Sequence, residues 1–467
     1  MTPATPSAAG GQAATFDVEA VRAHFPALSR VVDGEHPIYL DNPGGTQVPT
    51  SVIEAISDTL VNANANVGAA YETSRRADQI VMEAREAMAD FLNAPSPDNI
   101  VFGANMTSLT MALSRAVGKS LSEGDEIVVT HLDHDGNISP WLLIADDHKL
   151  KVKWVDINKE DCTLDMAQLE SQITDRTRVV AAGYASNASG TVNDVKKIVE
   201  LAHQVGALAY VDAVHYTPHG PIDVQDLDCD FLVCSPYKFF GPHAGVLYGK
   251  RKPLSDLPAY KVRPAPTEPP DRWETGTQNH EAIAGITATV NYLAWVGEQF
   301  GRPYAERFPG FAGRRLQLKT GMAAIEDYER TLSQHMLEGL AKIEGVKVFG
   351  ITDAERLDER VPTFVLRVDN LAPRRVAEAL DKAHIYVWDG DYYAVEMMDQ
   401  LGYLDQGGMV RVGAVHYNTL GEVDRFLNEL THIASAMSRI AGKGVDPTAE
   451  TDPGTGTKPV RTIKTDQ

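Results

Sequence analysis

Short apolar runs separated by stretches of helical periodicity set the first expectation for this chain. Residues 99–102, Glu126–Thr130, 152–155, 179–183, Leu208–Asp212 and Phe231–Cys234 are apolar enough to be strands buried on both faces, and Gly245–Gly249 adds one more. Helical patterns lie between several of them. Residues 108–117 form one, and 192–205, with Val195, Ile198, Val199 and Ala202 on one stripe, form the clearest. Strands linked by helices predict an α/β domain around a parallel or mixed, mostly parallel seven-stranded sheet. Beyond residue 280 the pattern changes. Two long helical segments, 281–300 and 311–343, precede a small sheet built from Val346–Phe349, Thr363–Val368 and 409–412, with a break at Ala372-Pro373 and a last helix over 419–440. The expected organisation is a large domain over 41–290 and a small α+β C-terminal domain over 291–441. Residues 16–40 are expected to pack with the small domain. Residues 1–15 and 442–467 lack apolar periodicity and are expected to be disordered tails.

At 467 residues the chain accommodates two domains, and 43% hydrophobic residues supply a large core. Lys and Arg number 43 against 64 Asp and Glu, a net charge of −21. That balance speaks against a general affinity for nucleic acid or anionic membrane, both of which favour basic faces. The three cysteines, Cys162, Cys229 and Cys234, form no CxxC pair and no zinc-type cluster, which points to reduced thiols in a cytosol. The N-terminus has no basic start followed by an apolar stretch, and no run of about 18 apolar residues occurs. A cytoplasmic protein with no spanning helix is the expectation.

Lys238 lies just past the apolar run Phe231–Cys234, after Ser235-Pro236-Tyr237. An ammonium there costs several kcal/mol, about 2–7 for even a neutral polar group, unless it is paired, neutralised or snorkels to water. Imine formation with a cofactor aldehyde is one way to neutralise it. Asp212 ends the preceding strand, where ligands gather in open α/β sheets, and is either a helix cap or the partner of a pyridine nitrogen. Asn105-Met106-Thr107-Ser108 lies between a strand and a helix, as a plain cap or as a phosphate cradle of free N–H groups. His134 is a loop histidine or a ring lying over a flat cofactor.

These four elements in this order are far more specific than any one of them. Together with Tyr39-Leu40-Asp41-Asn42, His134 to Trp141, Ser186 to Gly190, Val211 to His215, Ser235 to Pro242, Glu274-Thr275-Gly276-Thr277, Val410-Arg411 and His416 to Thr419, they resemble the class V aminotransferase family of fold-type-I pyridoxal-5′-phosphate (PLP) enzymes. The similarity is greatest to its cysteine-desulfurase-like branch and runs from about Val18 to Leu430. The resemblance implies PLP bound through Lys238, with Asp212 on the pyridinium nitrogen and His134 stacked on the ring. His215 and Asn187 would bond the ring hydroxyl, and Met106, Thr107 and Ser235 would hold the phosphate. Gly276 and Thr277 would reach the phosphate of a neighbouring subunit, which implies a homodimer. Arg411 would grip the α-carboxylate of a small amino-acid substrate, as a guanidinium fork suits.

The chain also departs from the desulfurases, which need a mobile thiol shortly before that arginine. Tyr393 takes the thiol position here, Trp388 stands where they carry an arginine, Tyr237 replaces a histidine, and no cysteine follows Cys234. The pattern resembles a subgroup without the catalytic cysteine. It implies reaction of an α-amino acid through an external aldimine and a Cα carbanion (quinonoid), as a lyase or a carbon-bond-forming enzyme, with transamination as the alternative. The expected substrate pocket is aromatic, from Tyr237, Trp388, Tyr392 and Tyr393 with His215 and His416. Two distant alternatives are a metal hydrolase, suggested by the fragment Thr130-His131-Leu132-Asp133-His134-Asp135-Gly136, and a non-catalytic binding protein.

Overall fold

The computed structural model describes residues 16–441, with side chains to residue 436. The two expected tails lie outside the described residues. Seven strands form the central sheet: β1 (Ile100–Gly103), β2 (Glu126–Thr130), β3 (Lys151–Val155), β4 (Thr177–Gly183), β5 (Leu208–Asp212), β6 (Phe231–Cys234) and β7 (Gly245–Gly249). Their order is β1-β7-β6-β5-β4-β2-β3, and only β7 runs antiparallel to its neighbours. Side chains alternate between two apolar layers. Val128, Val180, Val211 and Leu232 face one, while Val129, Ala181, Tyr210 and Val233 face the other. Period-two alternation with both faces covered is why these runs read as continuously apolar.

A second sheet contains β8 (Val346–Phe349), β9 (Thr363–Val368), β10 (Trp388–Gly390) and β11 (Met409–Gly413), in the antiparallel order β8-β9-β11-β10. One face carries Phe364, Leu366, Val410 and Val412 into a core of its own with Leu332, Met336, Val376 and Phe426. Val365 and Met409, on the opposite face, belong to the large core. By the same alternation Arg411, between Val410 and Val412, faces the large sheet.

Residue 290 falls inside the helix His280–Phe300, whose Ile283, Ile286, Val290 and Leu293 sit in the large core. The next helix, Gly313–Leu340, gives Leu318, Met322 and Ile325 to the large core and Leu332, Met336 and Leu340 to the small one. We propose that the division between the two units runs through the middle of this helix. The N-terminal segment is divided as well, with Val21 and Phe25 in the large core and Ile38 and Leu40 in the small one. Ile38–Tyr39 pairs in parallel with Ile385–Tyr386, and this pairing delivers the chain to Asp41 beside Gly413.

Candidate active site

Parallel alignment brings the carboxyl ends of β2, β4, β5 and β6 to one edge of the sheet. β1 ends there too, because it and β6 both oppose β7. A cleft of about 660 Å³, counting its open mouth, lies along that edge. Asn105, Met106, Thr107, His134, Asn187, Asp212, His215, Ser235, Tyr237 and Lys238 line it. Ten residues spread over more than 130 positions of sequence therefore share one cavity.

Asp212 is buried and accepts the Val214 N–H at 2.9 Å; burial pushes its carboxyl up to about 6, against the pull of that N–H and of Lys238. Lys238 sits on a single turn after β6, and its Nζ donates to the Pro43 carbonyl. Burial, reinforced by the Arg411 charge, lowers its amine to about 7, while Asp41 and Asp212 act in the opposite sense. An amine in that range is both a competent nucleophile and a competent base at neutral pH. His134 accepts the Gly136 N–H at Nδ1 (2.9 Å), and burial with two nearby cations lowers it to about 4. It is therefore a neutral ring.

At the cleft's other end the helix Met106–Gly118 starts, capped by Asn105, whose Oδ1 accepts the Ser108 N–H at 2.9 Å. The N–H groups of its first turn and the dipole favour an anion beside Thr107 and Ser235. His215 is buried, with Nε2 3.0 Å from Thr363 Oγ1. Asn187 donates to the Tyr392 carbonyl at 2.9 Å, but its buried Oδ1 has no partner among the described residues. A buried acceptor of this kind awaits a donor.

Of the other expected residues, Tyr237 lines the cleft, whereas Arg411, Trp388, Tyr393, His416, Gly276 and Thr277 do not. Arg411 is 4% exposed and lies behind Asn187, donating to its carbonyl at 3.1 Å and to Asp41 Oδ1 at 3.0 Å, 4.6 Å over the Tyr392 ring. Tyr393 is 67% exposed and stacks on His134, ring centroids 5.4 Å apart, and Trp388 is half exposed. Tyr237 stacks on His243. His416, expected in the pocket, is instead fully buried among aromatic rings, bonded to the Tyr292 hydroxyl at 2.6 Å. Gly276 and Thr277 are exposed on a separate loop. Glu274 anchors that loop by accepting from Arg85 at 3.0 Å and from the Phe102 N–H at 2.9 Å. Among the described residues no group of three or more His, Cys, Asp or Glu side chains is placed to hold a metal ion, so the hydrolase alternative gains no support.

Two features escaped the sequence reading. Asp133 is buried under the cleft, bonded by Thr130 and Asn137, and burial raises it to about 7, helped by the nearby Asp212 charge. Its side chain fills the space beside Gly183, where a Cβ would meet Asp133 Oδ1 at 2.7 Å. Tyr392 and Tyr393 are consecutive left-handed residues, φ +57° and +58°, at a cost of roughly 1–2 kcal/mol each. The Asn187 amide and the Asp135 N–H (2.7 Å) hold their two carbonyls, which ties this loop to the cleft wall.

A neutralisable lysine, a buried carboxylate one strand away, a neutral aromatic ring, a helix N-terminus and an unpaired amide oxygen surround one cavity. That donor set fits PLP, with amine for aldehyde, carboxylate for ring nitrogen and N–H groups for phosphate. The fold and cleft thus define an α/β enzyme of the PLP fold-type-I class. The family model for aminotransferase class-V matches residues 38–308 and 310–426. The chain is 33% identical over 423 residues to the aminotransferase-like protein FGM3 of Gibberella zeae, covering 88% of this chain and 97% of that protein. It is 34% identical over 439 residues, 91% of this chain, to a probable cysteine desulfurase of Mycolicibacterium paratuberculosis, of which it spans only 59%. The apo structure of cysteine desulfurase from Thermococcus onnurineus NA1 superposes with a TM-score of 0.78 at 27% identity, covering 90% of this chain and 98% of that one. The chain belongs to the class V aminotransferase family and is a PLP enzyme. No helix among the described residues is long and apolar enough to cross a membrane.

Proposed function

We propose that this enzyme breaks or forms a bond of an α-amino acid without a catalytic thiol, as a lyase or a carbon-bond-forming enzyme. The carrying observation is the placement of sulfur. All three cysteines are buried away from the cleft, and burial raises Cys162 and Cys229 to about 12 and Cys234 further still. An inert thiol in a core is neither nucleophile nor sulfur carrier. At the mouth, where relatives named as desulfurases suggest a thiol, stands the exposed phenol of Tyr393.

PLP, when bound, supplies an aldehyde for amines and a ring that withdraws electrons from the bonds at Cα. The chain's own residues do the rest. Lys238 would hold the cofactor through its amine, and the same amine would be the base that takes or returns a proton at Cα. Asp212 holds the ring nitrogen's proton, and His134 lies across the ring as a neutral plane. Asn187 Oδ1 and His215 meet the ring hydroxyl, and Met106, Thr107 and Ser235 the phosphate. Arg411 receives the substrate carboxylate, and Tyr237, Trp388 and Tyr393 surround its side chain. Gly276 and Thr277, exposed on this chain, reach the neighbouring subunit's phosphate in a homodimer.

The test is a panel of L-amino acids with product analysis. Ammonia with a keto acid, or a new carbon bond, is the expected result. Stoichiometric alanine from L-cysteine, with its sulfur set free as sulfide by an added dithiol reductant and the yield surviving removal of all three cysteines, would give a desulfuration without the thiol and end the lyase reading. Transamination is the second reading, since Lys238 and Asp212 serve it equally; a keto acid without ammonia selects it.

A further inference from the structure

Arg411 is not idle in this structure. Its Nη2 donates to Asp41 Oδ1 at 3.0 Å and its Nη1 to the Asn187 carbonyl at 3.1 Å, while Nε is buried without a partner among the described residues. The guanidinium is almost wholly desolvated, whereas the Asp41 side chain is 25% exposed. Asp41 rides on a turn fixed at both ends. Leu40 N–H donates to the Tyr386 carbonyl at 2.9 Å and Gly413 N–H to Leu40 at 2.7 Å, while Pro43 accepts from Lys238. Gly44 leaves the room this needs, because a Cβ there would collide with the Asp41 carboxylate. One turn therefore touches both cations of the site, one through a carboxylate and one through a carbonyl.

We infer that Asp41 is an internal competitor for the substrate carboxylate at Arg411, and so a residue that sets how strictly the site demands a carboxylate. The inference rests on the reading of Arg411 given above. A desolvated guanidinium left without an anion is strongly disfavoured, so only a ligand that brings its own carboxylate can take the place of Asp41. Asp41, near the surface, returns to water at small cost when displaced. A neutral ligand leaves the pair closed. The observed affinity for a carboxylate is its intrinsic affinity reduced by the fraction of molecules in which Arg411 is free.

Calorimetric titration of the holoenzyme with propionate, and with propionamide as the neutral control, tests this. Asp41→Ala is expected to bind propionate about tenfold more tightly than the wild type, for an open fraction on the order of one tenth. Propionamide binding stays unchanged. If Asp41→Ala does not fold, Asp41→Asn and Gly44→Ala weaken the same contact and are expected to act in the same direction. Propionate bound equally or more weakly by these variants, with Arg411→Ala still abolishing it, would make Asp41 a mere support for Arg411 and overturn the inference. Propionate bound normally by Arg411→Ala would instead overturn the carboxylate reading of Arg411 itself.

Discussion

With Lys238 in its proposed role as the anchor of PLP, its protonation is expected to set the rate at which apoenzyme captures the cofactor. Burial and the Arg411 charge move its amine from 10.5 to about 7, and only Asp41 and Asp212 oppose them. At pH 7 about half of the amine is then neutral, against roughly one part in 3,000 for an ordinary lysine. The neutral fraction grows about fivefold between pH 6 and 7 and less than twofold between pH 7 and 8. Stopped-flow absorbance of the bound cofactor, divided by the rate for a free lysine analogue in the same buffers, removes the ionisations of the cofactor itself. The normalised rate should fall on alkaline approach, since the analogue keeps gaining neutral amine while Lys238 has reached its plateau. Arg411→Met removes a like charge and must shift the midpoint to higher pH, and Asp212→Asn removes an opposite charge and must shift it lower. A raw rate climbing tenfold per pH unit up to pH 9 would show an ordinary hydrated lysine and refute the reasoning.

Three further expectations follow from burial. Asp212 is raised from 3.8 to about 6, so the apoenzyme is spared its burial penalty below pH 4 and loses that one contribution, on the order of 3 kcal/mol, as pH rises through 6. Asp212→Asn should therefore raise the melting temperature of apoenzyme at pH 8 by a few degrees, for a penalty on the order of 3 kcal/mol, while abolishing turnover; an unchanged apo melting curve would refute it. The variant with Cys162, Cys229 and Cys234 all replaced by Ala should keep its turnover number and lose stability in urea, about 1 kcal/mol per small cavity, whereas loss of turnover in the folded protein would restore a thiol mechanism. Glu329 and His219 form a buried pair at 2.6 Å, 2% and 4% exposed, so Glu329→Ala should cost about 3–5 kcal/mol in urea unfolding; a cost under about 1 kcal/mol would show that the pair is not desolvated.

The central sheet was legible because its strands are buried on both faces, and the small sheet's β8, β9 and most of β11 for a related reason. β10 was not, since Trp388-Asp389-Gly390 is polar, short and half exposed, with no alternation to detect. The helix Thr50–Asn62 buries only Val52 and Thr59 and leaves Ile53, Leu60 and Val61 in the open, so its apolar positions mark no core-facing stripe. The inward stripe of Glu72–Leu92 is built largely from Ala77, Ala84, Ala87 and Ala89, a weak hydrophobic signal. Lys238, Asp212 and the Asn105 cap were readable because each sits at the end of an apolar strand, where the chain itself announces the position. His416 misled for the opposite reason. A histidine near a motif looks functional, and nothing local reveals that Tyr292, from a helix far upstream, holds its Nε2 inside the core.

Arg411 shows where such reading stops. Its direction follows from strand alternation alone, because Val410 and Val412 take the small core and leave residue 411 on the face towards the large sheet. Its partner and reach do not, because they depend on Asp41, 370 positions away. No spacing rule links the two; the pairing of Ile38–Tyr39 with Ile385–Tyr386 and the bridge from Asp41 to Gly413 put them in contact. The same pairing sets Pro43 on Lys238. Given the role proposed for Arg411, carboxylate binding and the ionisation of Lys238 are coupled through one turn near the N-terminus, so a change at Asp41 must appear in both carboxylate affinity and the pH midpoint of Lys238. A variant that moved one without the other would separate the two cations that the geometry joins.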